Sequence, residues 1–230
     1  MPKVSVLLPH YKHQAYLPDA VQSIIDQTFQ DWELLILNDD PDVDLRGYTE
    51  IEPRVIGYLC GRHLGQTVRL NIGIREARGE YIAFQDADDI SLPWRLQRSV
   101  DAMAGVDMIY GDKIVLHPDG RQEYKVSPKW IPEFFHLRAM GCWGSYMVRA
   151  DKICQFDEDV TYHNDHIWEA RMSKITDNVR KISIPLYKQR NFTSVYKDRN
   201  GKIPVIRKIK RLRAARKIDE KVRRIVSGLE

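Results

Sequence analysis

The chain has 230 residues, 43% hydrophobic and 30% charged, which excludes a disordered polymer and allows one sizeable α/β domain with an appendage. Its net charge of +4 is uneven: twelve Lys/Arg against Asp219 and Glu220 between Arg199 and Arg224 give a local +10, leaving −6 for the remainder. No apolar run approaches the ~18 residues of a membrane span, no signal peptide follows Met1, and Cys60, Cys142 and Cys154 form no metal or disulfide pattern, so a cytoplasmic, reducing location is expected.

Val4 to Leu8 predicts a first strand, stopped by Pro9, with His10-Tyr11-Lys12 as the loop beyond it. Leu17, Ala20, Val21, Ile24 and Ile25 recur at helical spacing. Trp32 to Leu37 is a second buried strand running into Asn38-Asp39-Asp40-Pro41. Val55 to Leu59 is a third, before Gly61-Arg62-His63-Leu64-Gly65; His10 and His63 read as polar loop residues. A helix follows over Val68 to Ala77, with Gly79 placed as its C-cap, and then the strand Tyr81 to Phe84. Strands alternating with helices predict βαβ units and a mainly parallel sheet.

That last strand ends in Gln85-Asp86-Ala87-Asp88-Asp89. Ligands of open α/β sheets sit beyond the carboxyl ends of strands, and carboxylates separated by one residue can share a hard divalent cation. The structural alternative is that the acids only end the strand and cap the helix starting near Pro93. Further on, Leu96 to Met103 is helical; Met108 to Tyr110 and Ile114 to Leu116 are strands; and Gln122 to Val126 returns as a hairpin across Pro118-Asp119-Gly120. Tyr146 to Val148 is a strand, Asp165 stands just before a helix containing Ile167 and Trp168, and Ile182 to Tyr187 is the last strand.

In this order, Val4 to Tyr11, Tyr16 to Phe29, Trp32 to Asp39, Gly65 to Gly79, Ala77 to Asp89 and Phe156 to Asp165 resemble the segments of family 2 glycosyltransferases, inverting enzymes of the GT-A fold. The resemblance covers roughly residues 3 to 195. It implies a nucleotide-diphosphate sugar donor, with UDP or dTDP favoured, and a glycan, glycolipid or other hydroxyl acceptor. It implies Mn²⁺ or Mg²⁺ held by Asp88 with Asp86, the latter nearer the ribose, acting as a Lewis acid on the leaving diphosphate. Asp39 would accept a hydrogen bond from the base, with Pro9 and Tyr11 beside it and Tyr11 supplying a ring. Arg69 would offer donors to the nucleotide or diphosphate, and Asp165 would be the base that deprotonates the acceptor. Two departures stand out: Asn38-Asp39-Asp40-Pro41 lacks the family's glycine, and Arg190 stands where many members carry a histidine. Arg190 then either neutralises the diphosphate directly or leaves metal binding weaker.

Residues 1–118 read as the nucleotide-sugar half of one domain, 119–197 as the acceptor half, and 198–230 as a basic amphipathic helix. The stripe Ile206, Ile209, Leu212, Ala215, Ile218, Val222, Ile225 and Leu229 suits an anionic membrane surface, the domain itself or a homodimer partner. Of these the membrane surface is the expectation, with residues from about Arg199 onward dispensable for the fold. Nucleic acid is disfavoured, since no recognition motif accompanies the charge. Two rival functions are a sugar nucleotidyltransferase, which lacks support because Pro9-His10-Tyr11-Lys12 contains no glycine, and a non-catalytic sugar-nucleotide-binding scaffold.

Overall fold

Strand β1 (Val4–His10) is buried at every position, as an unbroken apolar run covered on both faces requires. It lies between β2 (Trp32–Asn38) and β4 (Tyr81–Phe84), parallel to both, with β3 (Val55–Leu59) parallel outside β2. The computed structural model describes residues 1–59, 62–132, 141–160, 164–191 and 217–228. Across β4 the sheet continues through β8 (Met147–Arg149), β6 (Met108–Leu116), β9 (Val179–Arg190) and β5 (Ile90–Ser91), with β7 (Gln122–Lys125) as a hairpin on β6, nine strands in all among the described residues. Strands β1 to β4 thus form a parallel sheet. The antiparallel pairs all involve strands after β4.

Alternation along the strands sends side chains to two cores. Val6, Leu8, Leu34 and Ile36 share one with Leu17, Val21 and Ile24 of α1 (Leu17–Ile25) and Leu96 of α4 (Arg95–Ala102). Leu7, Leu35, Leu37 and Phe84 share the other with Leu70 of α3 (Gln66–Glu76) and Trp168 and Met172 of α5 (Asn164–Ile175). A short α2 (Arg46–Thr49) precedes β3.

Several elements differ from expectation for identifiable reasons. Pro9 does not stop β1, because β4 ends opposite Leu7 and the proline stands where β1 has a neighbour on one side only. Gly79 is not a helix cap: α3 is capped by Ala77, and a Cβ on Gly79 would lie 2.5 Å from the Ser5 backbone nitrogen. The two predicted strands 108–110 and 114–116 are one strand, β6, whose pairing with β9 shifts register around Asp112.

Residues 217–227 form a last helix, α6. Its Ile218, Val222 and Ile225 are buried in a third core with Ile167 and Ala170 of α5. Lys221 pairs with Asp157, and Lys174 Nζ donates to the Val226 carbonyl at 2.6 Å. In this part the apolar stripe is thus covered by the domain, the second of the three partners that the sequence allowed. The stripe positions 206, 209, 212, 215 and 229 lie outside the described residues.

Candidate active site

The carboxyl ends of β1 and β2 and the loop leading into α3 form one corner. Asp39 is buried there. Its Oδ2 accepts from the backbone N–H of Leu64 and of Gly65, both at 2.8 Å, with His63 Nδ1 at 3.0 Å and Arg69 Nε at 3.3 Å. Gly65 meets this geometry at φ 95°, a conformation that favours glycine. Asp39 Oδ1 is equally buried and has no partner among the described residues. A carboxylate with one oxygen saturated and the other unspent is a site for an incoming N–H.

Beside it, the Tyr11 ring stacks on His63 with centroids 3.9 Å apart. His63 is thus part of the corner and no idle loop residue. The turn that lacks the family's glycine is held by Asn38, whose amide donates to the Asp40 carbonyl at 2.8 Å and whose Oδ1 accepts from the Asp40 N–H at 3.0 Å. That same Oδ1 lies 2.8 Å from Nδ1 of His10, which is fully buried at the end of β1, contrary to its reading as a loop residue. Burial lowers the His10 pKa. Arg69 is 5% exposed, and its guanidinium serves the carbonyls of His10 and Gly65 as well as Asp39. Pro9 precedes this corner on β1.

The acid turn after β4 is the second station. Gln85, fully buried, donates to the carbonyls of Asp86 (2.9 Å) and Asp89 (3.0 Å), while its Oε1 accepts from Arg95 Nη1 (2.9 Å) and Ser91 Oγ (2.6 Å). Arg95 also reaches the Phe84 carbonyl, and burial lowers its pKa to about 10. Sequence reasoning missed Gln85 and Arg95. Both stand just outside the predicted strand Tyr81–Phe84 and helix Leu96–Met103, where periodicity gives no signal for a buried polar pair. Asp89 is buried and accepts from the Arg190 N–H at 2.9 Å. The Arg190 guanidinium donates to the Asp88 carbonyl at 2.8 Å, pairs with Asp19 and lies over Tyr16. Arg190 thus sits at the acid turn, with its described contacts made to the protein.

Burial, then the charges of Asp88 and Asp165, raise the Asp86 pKa to about 7. Burial and the charges of Asp86 and Asp88 raise that of Asp89. The structure therefore brings Asp165 within electrostatic reach of the acid turn. Asp165 lies in the first turn of α5, not ahead of the helix, and on the wall of a cavity of about 440 Å³ with Lys113, Trp143, Tyr187 and Gln189. Among the described residues no three His, Cys, Asp or Glu are preassembled as a metal cage. Yet Asp86 and Asp88 present hard oxygens whose mutual repulsion a divalent cation would relieve, and Mg²⁺ ordinarily completes its shell with substrate phosphates. The donor set fits such an ion.

The comparisons with known proteins agree with this fold. S. aureus TarS, solved in complex with UDP, superposes with a TM-score of 0.68 over 82% of this chain and 60% of its own, at 16% identity. The mannosyltransferase PcManGT of Pyrobaculum calidifontis, solved with GDP-Man and Mn²⁺, gives 0.57 over 84% of this chain and 58% of its own, at 18% identity. Both have the GT-A arrangement seen here. An uncharacterized glycosyltransferase of Methanocaldococcus jannaschii is 29% identical over 72% of this chain and 62% of that relative. The putative teichuronic acid biosynthesis glycosyltransferase TuaG of Bacillus subtilis is 33% identical over 44% of this chain and 42% of its own length. The chain thus spans less than two thirds of these relatives. The family model described as Glycosyl transferase family 2 matches residues 5–151, and the chain belongs to that family.

Proposed function

We propose that this protein transfers a sugar from a nucleotide-diphosphate donor to an acceptor hydroxyl with inversion at the anomeric carbon. The observation that carries the reading is the pairing of two stations on one sheet edge: the unspent Asp39 Oδ1 beside the Tyr11–His63 stack, and the convergence of Asp86, Asp88 and Asp165. A single buried acceptor oxygen beside a ring suits the imide N–H of uracil or thymine, so a UDP- or dTDP-sugar is the expected donor.

Asp86 and Asp88 would hold Mn²⁺ or Mg²⁺, which when bound neutralises charge on the departing diphosphate. The remaining steps belong to the chain. Arg69 and the Leu64 and Gly65 amides fix Asp39, and Asp39 fixes the base. The Gln85–Arg95 network fixes the turn that presents Asp86 and Asp88. Arg190 adds a positive charge next to that turn. Asp165 removes the proton of the acceptor hydroxyl while that oxygen attacks the anomeric carbon from the side opposite the leaving group.

A thermal-shift series of UDP-, dTDP-, GDP- and CDP-sugars with and without Mn²⁺ tests the donor reading, because a ligand of the native state raises its melting temperature. Stabilisation by uracil or thymine nucleotides that grows with Mn²⁺ is expected. No nucleotide response at all would overturn the reading. Proton NMR of the transferred product then reports whether the anomeric configuration has inverted.

A further inference from the structure

The cavity beside Asp165 has a composition that selects its occupant. Its lining includes the apolar Val115, Val126 and the Trp143 ring, with Val126 66% exposed. It also includes Lys113, half-buried on β6, whose Nζ donates to Gln189 Oε1 at 2.6 Å. No carboxylate among the described residues stands at ion-pair distance from this ammonium. Asp112, its neighbour in sequence, is engaged elsewhere, by Lys181 at 3.0 Å, the Ser127 N–H at 2.8 Å and the Tyr124 hydroxyl. Lys125, also on the cavity, is paired with Glu123, which His117 shares at 3.2 Å. Among the described residues the only acid lining the cavity is Asp165.

A partly desolvated ammonium satisfied by one amide oxygen keeps unused donors, and its charge also reaches Asp86 and Asp89. The apolar side chains lining the same cavity suit the C–H face of a pyranose, and an anion without such a face would leave them wet. Lys113 and the group read as the base line one cavity, which is where that reading puts the acceptor. From this we infer that the acceptor is an acidic glycan: its sugar ring packs on the Trp143 wall, and a phosphate or carboxylate on that ring or the next is held by Lys113, with Lys125 at the rim. The inference rests on the reading of Asp165 as the base and extends it to the class of acceptor.

The test uses the full chain and a matched set of probes: methyl glucoside, methyl glucuronide and the phosphate monoester of methyl glucoside. Each is titrated by NMR at low salt. Both anionic probes, or one of them, should bind about 10-fold tighter than the neutral glycoside, the scale of one charge-assisted contact. The two anionic arms separate a uronate from a phosphate acceptor. Lys113→Gln should erase that advantage and Lys113→Arg should keep most of it, which a folding defect would not do. UDP–Mn²⁺ affinity, measured by calorimetry in the same variants, should stay unchanged. Equal binding of all three probes to the wild type overturns the inference. So does a Lys113→Gln variant that loses UDP–Mn²⁺ affinity while keeping its preference for the anionic probe, since the lysine would then serve the donor. If the wild type binds no nucleotide, the donor reading fails on its own, and the probe series still decides the anion site.

Discussion

Arg190 Nη1 donates to the main-chain oxygen of Asp88 at 2.8 Å, so a side chain from the end of β9 holds the acid turn by its backbone and leaves the Asp88 carboxylate to face His13 Nδ1 at 3.4 Å. Arg190 thus braces the acid turn. Arg190→Ala should lower kcat/KM by roughly 10- to 100-fold, with the Mn²⁺ concentration for half-activity moving upward, because the turn loses both its clamp and an adjacent positive charge. The exposed half of its pairing, to Asp19, contributes little to stability. Unchanged Mn²⁺ dependence in a metal titration of the variant would show that the brace is structural only.

Asp39→Asn tests the base corner. The amide oxygen would stay on the Leu64 and Gly65 N–H groups, turning the NH₂ toward the position now held by Oδ1. Two donors would then face each other, and UDP affinity should fall by about 10- to 100-fold. The ring nitrogen of cytosine accepts where that of uracil donates, so the preference for UDP over CDP should narrow or invert. Calorimetric titration with both nucleotides reads this directly.

The raised pKa of Asp86, about 7 against an ordinary 3.8, makes a signed prediction. Between these values the folded protein keeps a proton that the unfolded chain gives up, so stability declines as pH rises through the window and levels off above it. Asp86→Asn lacks this dependence. Its melting temperature relative to the wild type should therefore be higher at about pH 8 than at about pH 5. Parallel melting curves at both pH values would mean that Asp86 titrates normally.

Asp165→Asn retains shape and removes basicity. Transfer should fall by about 100-fold or more while nucleotide affinity holds, the pattern of a lost general base. A fall in melting temperature with turnover per folded molecule preserved would instead assign Asp165 to the first turn of α5 alone.

Val222 is fully buried between α6 and α5. Val222→Asp should destabilise the acceptor half by about 2 kcal/mol or more, since it places a carboxylate in an apolar contact. Urea denaturation of the variant measures this. The Lys221–Asp157 pair, which with Arg171 holds the Asp157 pKa down despite burial, adds a local charge contact that salt weakens.

The donor half was legible because its strands are covered on both faces, so Val4 to Leu8, Trp32 to Leu37 and Tyr81 to Phe84 read as unbroken apolar runs. Asp86, Asp88 and Asp39 were legible because acids at the ends of such runs stand out against them. His63 was not, because its role arises from stacking on Tyr11 across a chain separation of 52 residues, which no local pattern encodes. Gln85 and Arg95 were missed because a buried polar pair interrupts neither strand nor helix periodicity. The stripe on α6 was legible as apolar, but a stripe does not name what covers it. The buried contacts with Ile167 and Ala170 do.

The docking of α6 on α5 also sets an order of events during synthesis. Among the described residues, the contacts given above for the Asp39 corner and the acid turn are all made before residue 191. Trp168 and Met172 of the helix bearing Asp165 pack in the second core, and residues 218–225 add cover only over its Ile167 and Ala170.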